Sequence, residues 1–176
     1  ASQRTTVRLG PPRTSTTTGA TSSTSTSVTT SPVPDFGYDH DLVQQVWADY
    51  QAAVDAVEAA VQHPDPDDPG LAEHLTGPYL QLWRDVVGGY AERGEFVTYP
   101  EASRRLKRLW GITVVSPTRV RLEVCSFDDA VLNGPTGVLD PATYWTSSSV
   151  QMHLEERWRI EQRTVTEIEG ESCDRS

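Results

Sequence analysis

The chain has 176 residues, of which 15 are Lys or Arg and 25 are Asp or Glu, for a formal net charge of −10. Arg4, Arg8 and Arg13 precede residue 35 whereas no acidic residue does, so residues 35–176 carry a formal net charge of −13. This acidity disfavours nucleic acid and anionic membrane surfaces as partners, and no run reaches the roughly 18 apolar residues that a membrane-spanning helix needs.

Residues 1–34 are predicted to be a disordered tether. Between positions 14 and 31 every residue is Ser or Thr except Gly19, Ala20 and Val28. So little apolar surface cannot offset the entropy lost on ordering the chain. Residues 35–176 are predicted to form one folded domain. The chain starts without Met and has no signal-like apolar core, so we expect any export signal to have been removed or omitted. A lipid anchor on the tether stays an open alternative, although no cysteine stands at position 1.

The first predicted helix is long and amphipathic. Its apolar side chains recur at intervals of four and three residues, at Val43, Trp47, Tyr50, Val54, Val57 and Val61. We predict Asp41 as the N-cap, with Gln44 as its partner in a capping box. The sequence HPDPDDPG at 63–70 ends the helix, because the residue before Pro64 disfavours helical backbone.

Two further helices are predicted. The second covers residues 69–75, with Asp68 as its N-cap and Gly77 at its end. The third starts at Pro78 and ends at Gly94, with apolar positions at Tyr79, Trp83, Val86 and Tyr90. Gly88 and Gly89 weaken this helix, so either another backbone crosses it closely there or it ends early.

The second half of the chain has the two-residue period of β-strands. The segments EFVTY (95–99), ITVVS (112–116) and RVRLEVCSF (119–127) are predicted strands, and a turn at Pro117 joins the last two into a hairpin. NGPTG (133–137) predicts another turn. The sequence from 149 to 170 predicts two strands joined by a bend at Glu155–Glu156. One face of the first strand carries Val150, Met152 and Leu154. One face of the second carries Trp158 and Ile160.

Only residues 101–110 fit a helical turn and an irregular strand equally well. They include the basic stretch SRRLKRLW (103–110), which is either a polyanion patch or, as we favour, the solvated face of an amphipathic element. Helices followed by antiparallel strands indicate the α+β class, with the long helix lying on a curved sheet.

The two cysteines, Cys125 and Cys173, are predicted to form a structural disulfide. They lack the paired spacing of a zinc site. Asp128 and Asp129 lie close to Cys125 in sequence and would raise the pKa of a thiol, which argues against a reactive cysteine. A persistent disulfide indicates an oxidising, extracytoplasmic compartment, in agreement with a tether.

The phrases VCSFDDAVL (124–132), GPTGVLD (134–140) and ERWRIEQRTVTEIEGESC (156–173) resemble small exported, lipoprotein-like actinobacterial proteins of the nuclear transport factor 2 (NTF2)-like superfamily. The resemblance covers residues 39–173. It implies a cone in which a bent sheet wraps around the first helix, with an apolar cavity at the wide end.

We expect a non-catalytic secreted or cell-surface module that binds a small apolar ligand or a protein partner and that needs no cofactor or metal. The cavity is predicted to include Tyr50, Trp83, Tyr99 and Trp158. Homodimerisation through the open sheet face is a further alternative. So is an isomerase- or cyclase-type enzyme, which needs a carboxylate and a Tyr in the cone; its candidate groups are Tyr50, Tyr99, Asp49, Asp55, Asp128 and Asp129. DPDD (65–68) lacks the loop length of an EF-hand calcium site.

Overall fold

The computed structural model describes residues 34–100, 106–140, 143–168 and residue 173. The predicted tether lies outside this part of the chain except for Pro34, and so do residues 101–105 of the ambiguous segment. The helices are α1 (His40–Gln62), α2 (Pro69–His74) and α3 (Gly77–Arg93). The strands are β1 (Phe96–Thr98), β2 (Lys107–Ser116), β3 (Arg119–Asp128), β4 (Val131–Gly134), β5 (Gly137–Asp140), β6 (Tyr144–Leu154) and β7 (Trp158–Ile168). No helix in these ranges is long and apolar enough to cross a bilayer.

The start of α1 differs from the prediction. Asp39, not Asp41, is the N-cap, and its Oδ1 accepts a hydrogen bond from the backbone N–H of Leu42 at 3.0 Å. Gln44 does not close a capping box; its amide lies 3.4 Å from the ring Nε2 of His40. Either aspartate could cap a helix, and the structure uses the one that lets the first turn start at His40.

The cap predicted for α2 is confirmed, since Asp68 Oδ1 accepts from the backbone N–H of Gly70 at 2.7 Å. Gly77 was assigned wrongly: it does not end α2 but is the first residue of α3, with a φ of 55°. Gly94 ends α3 in the left-handed conformation as predicted, with a φ of 63°.

The double glycine does not end α3. The helix runs through both positions to Arg93. A Cβ placed on Gly88 would lie 3.7 Å from Cβ of Pro66, in the segment between α1 and α2, which is an ordinary van der Waals distance. The glycines therefore face a neighbouring loop and side chain rather than a crossing backbone at unusually short range.

The strands form two antiparallel sheets. The larger sheet has the order β2-β3-β6-β7, and the smaller one has the order β1-β4-β5. The predicted hairpin is present, with β2 paired to β3 around Pro117, and β4 pairs with β5 around the predicted NGPTG turn. β6 and β7 pair across the bend at Glu155–Arg157. The α+β class is therefore confirmed.

The inner face of the larger sheet packs against the helices. On β3 the buried residues Val120, Leu122 and Val124 alternate with outward residues, and Val150 and Met152 extend the same face onto β6. α1 contributes Val46, Tyr50, Ala53 and Val57 to this core, among others. At the start of β7, Asp49 of α1 accepts a hydrogen bond from the backbone N–H of Trp158 at 3.1 Å, which ties the helix to the sheet.

The predicted disulfide is confirmed. Cys125 and Cys173 are bonded with their Cα atoms 5.7 Å apart, and both are buried. Cys125 lies on the outer face of β3, opposite the helices, since it alternates with Val124. Trp110 of β2 donates a hydrogen bond from its indole Nε1 to the backbone carbonyl of Cys173 at 2.8 Å. The covalent bond and the hydrogen bond hold residue 173 against the back of the sheet.

Candidate functional site

The residues predicted to line an apolar cavity lie in the packed interior. Tyr50, Trp83 and Trp158 are buried members of a single hydrophobic core, and Tyr99 packs against that core from a partly exposed position. Their indole and phenol rings fill space between the helices and the larger sheet. Beyond these residues, the inner face of the larger sheet is polar instead of apolar.

One end of the inner face is polar. Following β3 from Val124, the next two inward positions are Ser126 and Asp128. Following β6 from Val150 toward its start, the inward positions are Ser148 and Thr146, both buried. The apolar alternation that forms the core therefore continues as a row of hydroxyl and carboxyl groups. We call this region, together with the side chains that reach it from neighbouring elements, the polar end.

Two β-bulges direct basic side chains toward the helices. In β2 the pairing shifts between Leu109 and Gly111, so Trp110 is the extra residue. In β7 the partner of Met152 is Ile160 while the partner of Gln151 is Gln162, so Glu161 is the extra residue. Each bulge reverses which residues of its strand point inward. Lys107 and Arg163 thereby come to lie on the inner face, opposite Ser126 and Val150 respectively.

Lys107 is neutralised by α1. Its Nζ lies 3.1 Å from an oxygen of Glu58 and 3.3 Å from an oxygen of Asp55. Glu58 is buried although it is charged, and this pairing offsets the cost of removing its carboxylate from water. Lys107 thus has a structural role in joining α1 to the edge of the sheet.

Arg163 has a different environment. Its Nε and one Nη donate to the hydroxyl of Ser148 at 3.1 and 2.9 Å, and interaction with Tyr79 of α3 favours its charged form and raises its pKa. Within the described residues no carboxylate oxygen lies within 4.0 Å of this guanidinium. A guanidinium keeps its charge at physiological pH, so Arg163 is a partly buried cation whose described hydrogen-bond acceptor, Ser148, is neutral.

The hydroxyl of Tyr50 lies near both cations. It is buried and makes no hydrogen bond to any residue that the structure describes. Burial raises the pKa of this phenol, and the positive charges of Arg163 and Lys107 partly offset the effect. A buried hydroxyl without a partner is uncommon because it loses its bonds to water without replacement.

Asp128 contributes a carboxyl group to the polar end. Burial raises its pKa to about 6, and the negative charges of Glu58 and Asp129 act in the same direction. The backbone N–H of Ala130, which donates to Oδ1 at 3.0 Å, and the charge of Arg163 oppose the rise. Asp128 therefore changes its charge near pH 6, within electrostatic range of Arg163.

Two of the other predicted carboxylates have structural roles: Asp49 caps the start of β7 and Asp55 pairs with Lys107. Asp129 is buried next to Asp128. Sequence reasoning found Tyr50 and Asp128 but missed Arg163, Ser148 and Tyr79. One sequence feature could have found Arg163. In WRIEQRTV (158–165) the apolar residues stand at even positions up to 160 and at an odd position at 165, and this change of parity is typical of a bulge.

A separate cavity of about 150 Å³ lies at the opposite end of the larger sheet, near the β2–β3 turn. Its two arginines are both paired: Arg119 lies 3.1 Å from Glu161, and Arg121 lies 3.9 Å from Glu123. This cavity therefore offers no uncompensated charge. In the described ranges no group of three or more His, Cys, Asp or Glu side chains is arranged to hold a metal ion.

No family model matches the chain, and no curated protein matches it. Among solved structures, the intermembrane space region of the chloroplast protein ARC6 is similar, with a TM-score of 0.60 and 20% identity over 74% of this chain and 98% of that chain. A de novo β-sheet design protein aligns over 75% of this chain and 95% of its own, at 19% identity, with a TM-score of only 0.35. The first of these likenesses shows a shared fold.

Proposed function

We propose that the chain is a non-catalytic, extracytoplasmic module with an NTF2-like cone, and that it binds a small ligand at the polar end. One observation carries the proposal: the Arg163 cation has no ion pair among the described residues, and a buried Tyr50 hydroxyl without a hydrogen-bond partner lies near it. Buried polar groups normally have partners, so two incompletely satisfied groups together favour a binding site over a structural cluster.

Two features support the remaining parts of the proposal. The disulfide between Cys125 and Cys173 favours an oxidising compartment. The cone is supported by the position of α1 on the inner face of the larger sheet. Asp49 accepts a hydrogen bond from the start of β7, and Glu58 pairs with Lys107 of β2. Because Tyr50, Trp83 and Trp158 fill the interior, the ligand would contact apolar surface mainly at Val165, which lies on the inner face and is 44% exposed.

An enzyme of the isomerase type is the second candidate. Asp128 favours it, because a pKa of about 6 suits a general base at neutral pH. The Tyr50 hydroxyl could then stabilise a developing oxyanion. Catalytic turnover of a bound carbonyl compound, lost in Asp128→Asn and in Tyr50→Phe, would support this candidate over simple binding.

Fragment screening by two-dimensional ¹⁵N NMR on the full chain tests the binding proposal. We expect the hits to shift resonances of Tyr79, Asp128 and Ser148 and the side-chain Nε–Hε signal of Arg163. The matched control is Arg121→Met, which removes an arginine from the outer face and should leave the hits unchanged, whereas Arg163→Met should remove them. Hits that map to the exposed residues Val138 and Leu139 of β5 would favour a protein-partner surface and contradict the proposed site.

A further inference from the structure

We infer that the ligand of the polar end carries a single carboxylate group, which binds between the guanidinium of Arg163 and the hydroxyl of Tyr50. The inference rests on the proposed function, because it names the chemical class of the ligand for that same site.

The donors that remain at Arg163 determine the chemistry. A guanidinium has five N–H groups. Two of them are directed to Ser148, which leaves three, all on the two terminal nitrogens, that make no hydrogen bond to a described residue. A carboxylate accepts two parallel N–H groups in a planar arrangement, the most favourable geometry for an arginine. The Tyr50 hydroxyl supplies a further donor from α1.

The charge balance selects an anion. Lys107, the other cation of the inner face, has Glu58 and Asp55 within 3.3 Å. Among the described residues Arg163 has the neutral hydroxyl of Ser148 as its hydrogen-bond acceptor and no ion pair. A partly buried cation is more stable beside a counter-charge, which a ligand would provide.

A monoanion fits better than a phosphate. The side chains with electrostatic influence on the site include Glu58, Asp128 and Asp129. A doubly charged group would be repelled more strongly by Asp128 and Asp129 than a monoanion, and a single negative charge matches the single positive charge of Arg163.

Asp128 competes with the ligand for Arg163. The charged groups that act on it come from every neighbouring element: Glu58 of α1, Arg163 of β7 and the adjacent Asp129, besides the Ala130 amide. When Asp128 is ionised it partly neutralises Arg163, and when it is protonated the full charge is available to a ligand. Because its pKa is about 6, carboxylate binding should tighten as the pH falls from 7.5 to 5.5 while the ligand itself stays ionised.

Matched pairs of probes test the inference: benzoate with benzamide, and hexanoate with hexanamide, each titrated into the full chain and followed by ¹⁵N NMR. We expect each acid to bind at least about tenfold more tightly than its amide, because hydrogen bonds to charged groups are roughly twice as strong as neutral ones. Arg163→Met should abolish this preference, Arg163→Lys should retain part of it, and Tyr50→Phe should weaken the acids several-fold. Arg121→Met should behave as the native chain.

The pH dependence is a second readout. The affinity for benzoate should rise several-fold between pH 7.5 and 5.5 in the native chain and stay constant in Asp128→Asn. If Arg163→Met does not fold, the acid-over-amide preference of Arg163→Lys and the pH dependence of Asp128→Asn still test the inference. Amides that bind as tightly as acids at the polar end would overturn the carboxylate inference and leave the proposed function intact. No binding of any probe at millimolar concentration, or binding elsewhere only, would overturn both.

Discussion

Removal of the disulfide should destabilise the chain by a calculable amount. Cys125 and Cys173 are 48 positions apart, and a crosslink that closes a loop of this length lowers the free energy of folding by about 4 kcal/mol in the chain-entropy treatment. The double substitution Cys125→Ala and Cys173→Ala removes the bond without leaving a buried free thiol. Among the described hydrogen bonds, the one from Trp110 to the carbonyl of residue 173 would remain, and a single bond of this kind contributes only about 1 kcal/mol.

Urea unfolding, monitored by circular dichroism, measures the effect. We expect the double variant to lose about 3 to 4 kcal/mol of unfolding free energy and to show a steeper denaturant dependence, because its unfolded chain is less compact. Native protein treated with a reductant is the matched control and should give the same curve. A loss below about 1 kcal/mol, with the disulfide verified by mass spectrometry in the untreated protein, would refute the reasoning.

Three further predictions concern the ends of α1 and the polar end. The folded pKa of Asp128, about 6, exceeds its ordinary value of 3.8, so its contribution to stability is complete below pH 3.8 and is lost as the pH rises through 6. In urea unfolding, the free energy of unfolding of Asp128→Asn should therefore equal that of the native chain at pH 4 and exceed it by about 2 to 3 kcal/mol at pH 7. A difference that is independent of pH would contradict this. Lys107→Met should lower the free energy of unfolding by about 2 kcal/mol, and a double-mutant cycle with Glu58→Gln should show that the two losses are coupled. Additive losses would argue against the Lys107–Glu58 ion pair. Asp39→Ala should lower the thermal midpoint through a loss of about 1 kcal/mol, and Asp41→Ala should have little effect; the reverse order would mean that the sequence-based choice of cap was right.

Local patterns in the sequence were sufficient for the elements of the fold. The stripe from Val43 to Val61, the glycine at 94 and the alternation around Leu122 each depend on neighbours within a few residues, and the structure agrees with all three. The N-cap of α1 was misplaced because Asp39 and Asp41 satisfy the same local rule, and the apolar stripe starts too late to distinguish them.

The polar end could not be predicted in the same way. The contact between Arg163 and Tyr79 joins positions that are far apart in sequence, and the charge of Asp128 depends on burial by elements that pack only in the folded chain. Tyr50 was identified because it lies on the apolar stripe of α1, but nothing local indicates that its hydroxyl lacks a partner.

The bulge at Glu161 makes the chemistry of the inner face depend on strand pairing as well as on residue identity. If β7 paired with β6 in unbroken alternation from Ile160 onward, with no extra residue, Gln162, Thr164 and Thr166 would point inward and Arg163 would turn to the outside. A shift of one residue in the pairing would thus exchange a cationic site for a neutral, hydroxyl-lined one, with every side chain of the facing helices preserved. A change in the register of β7 is therefore a route by which chains of this fold could change the class of molecule they bind.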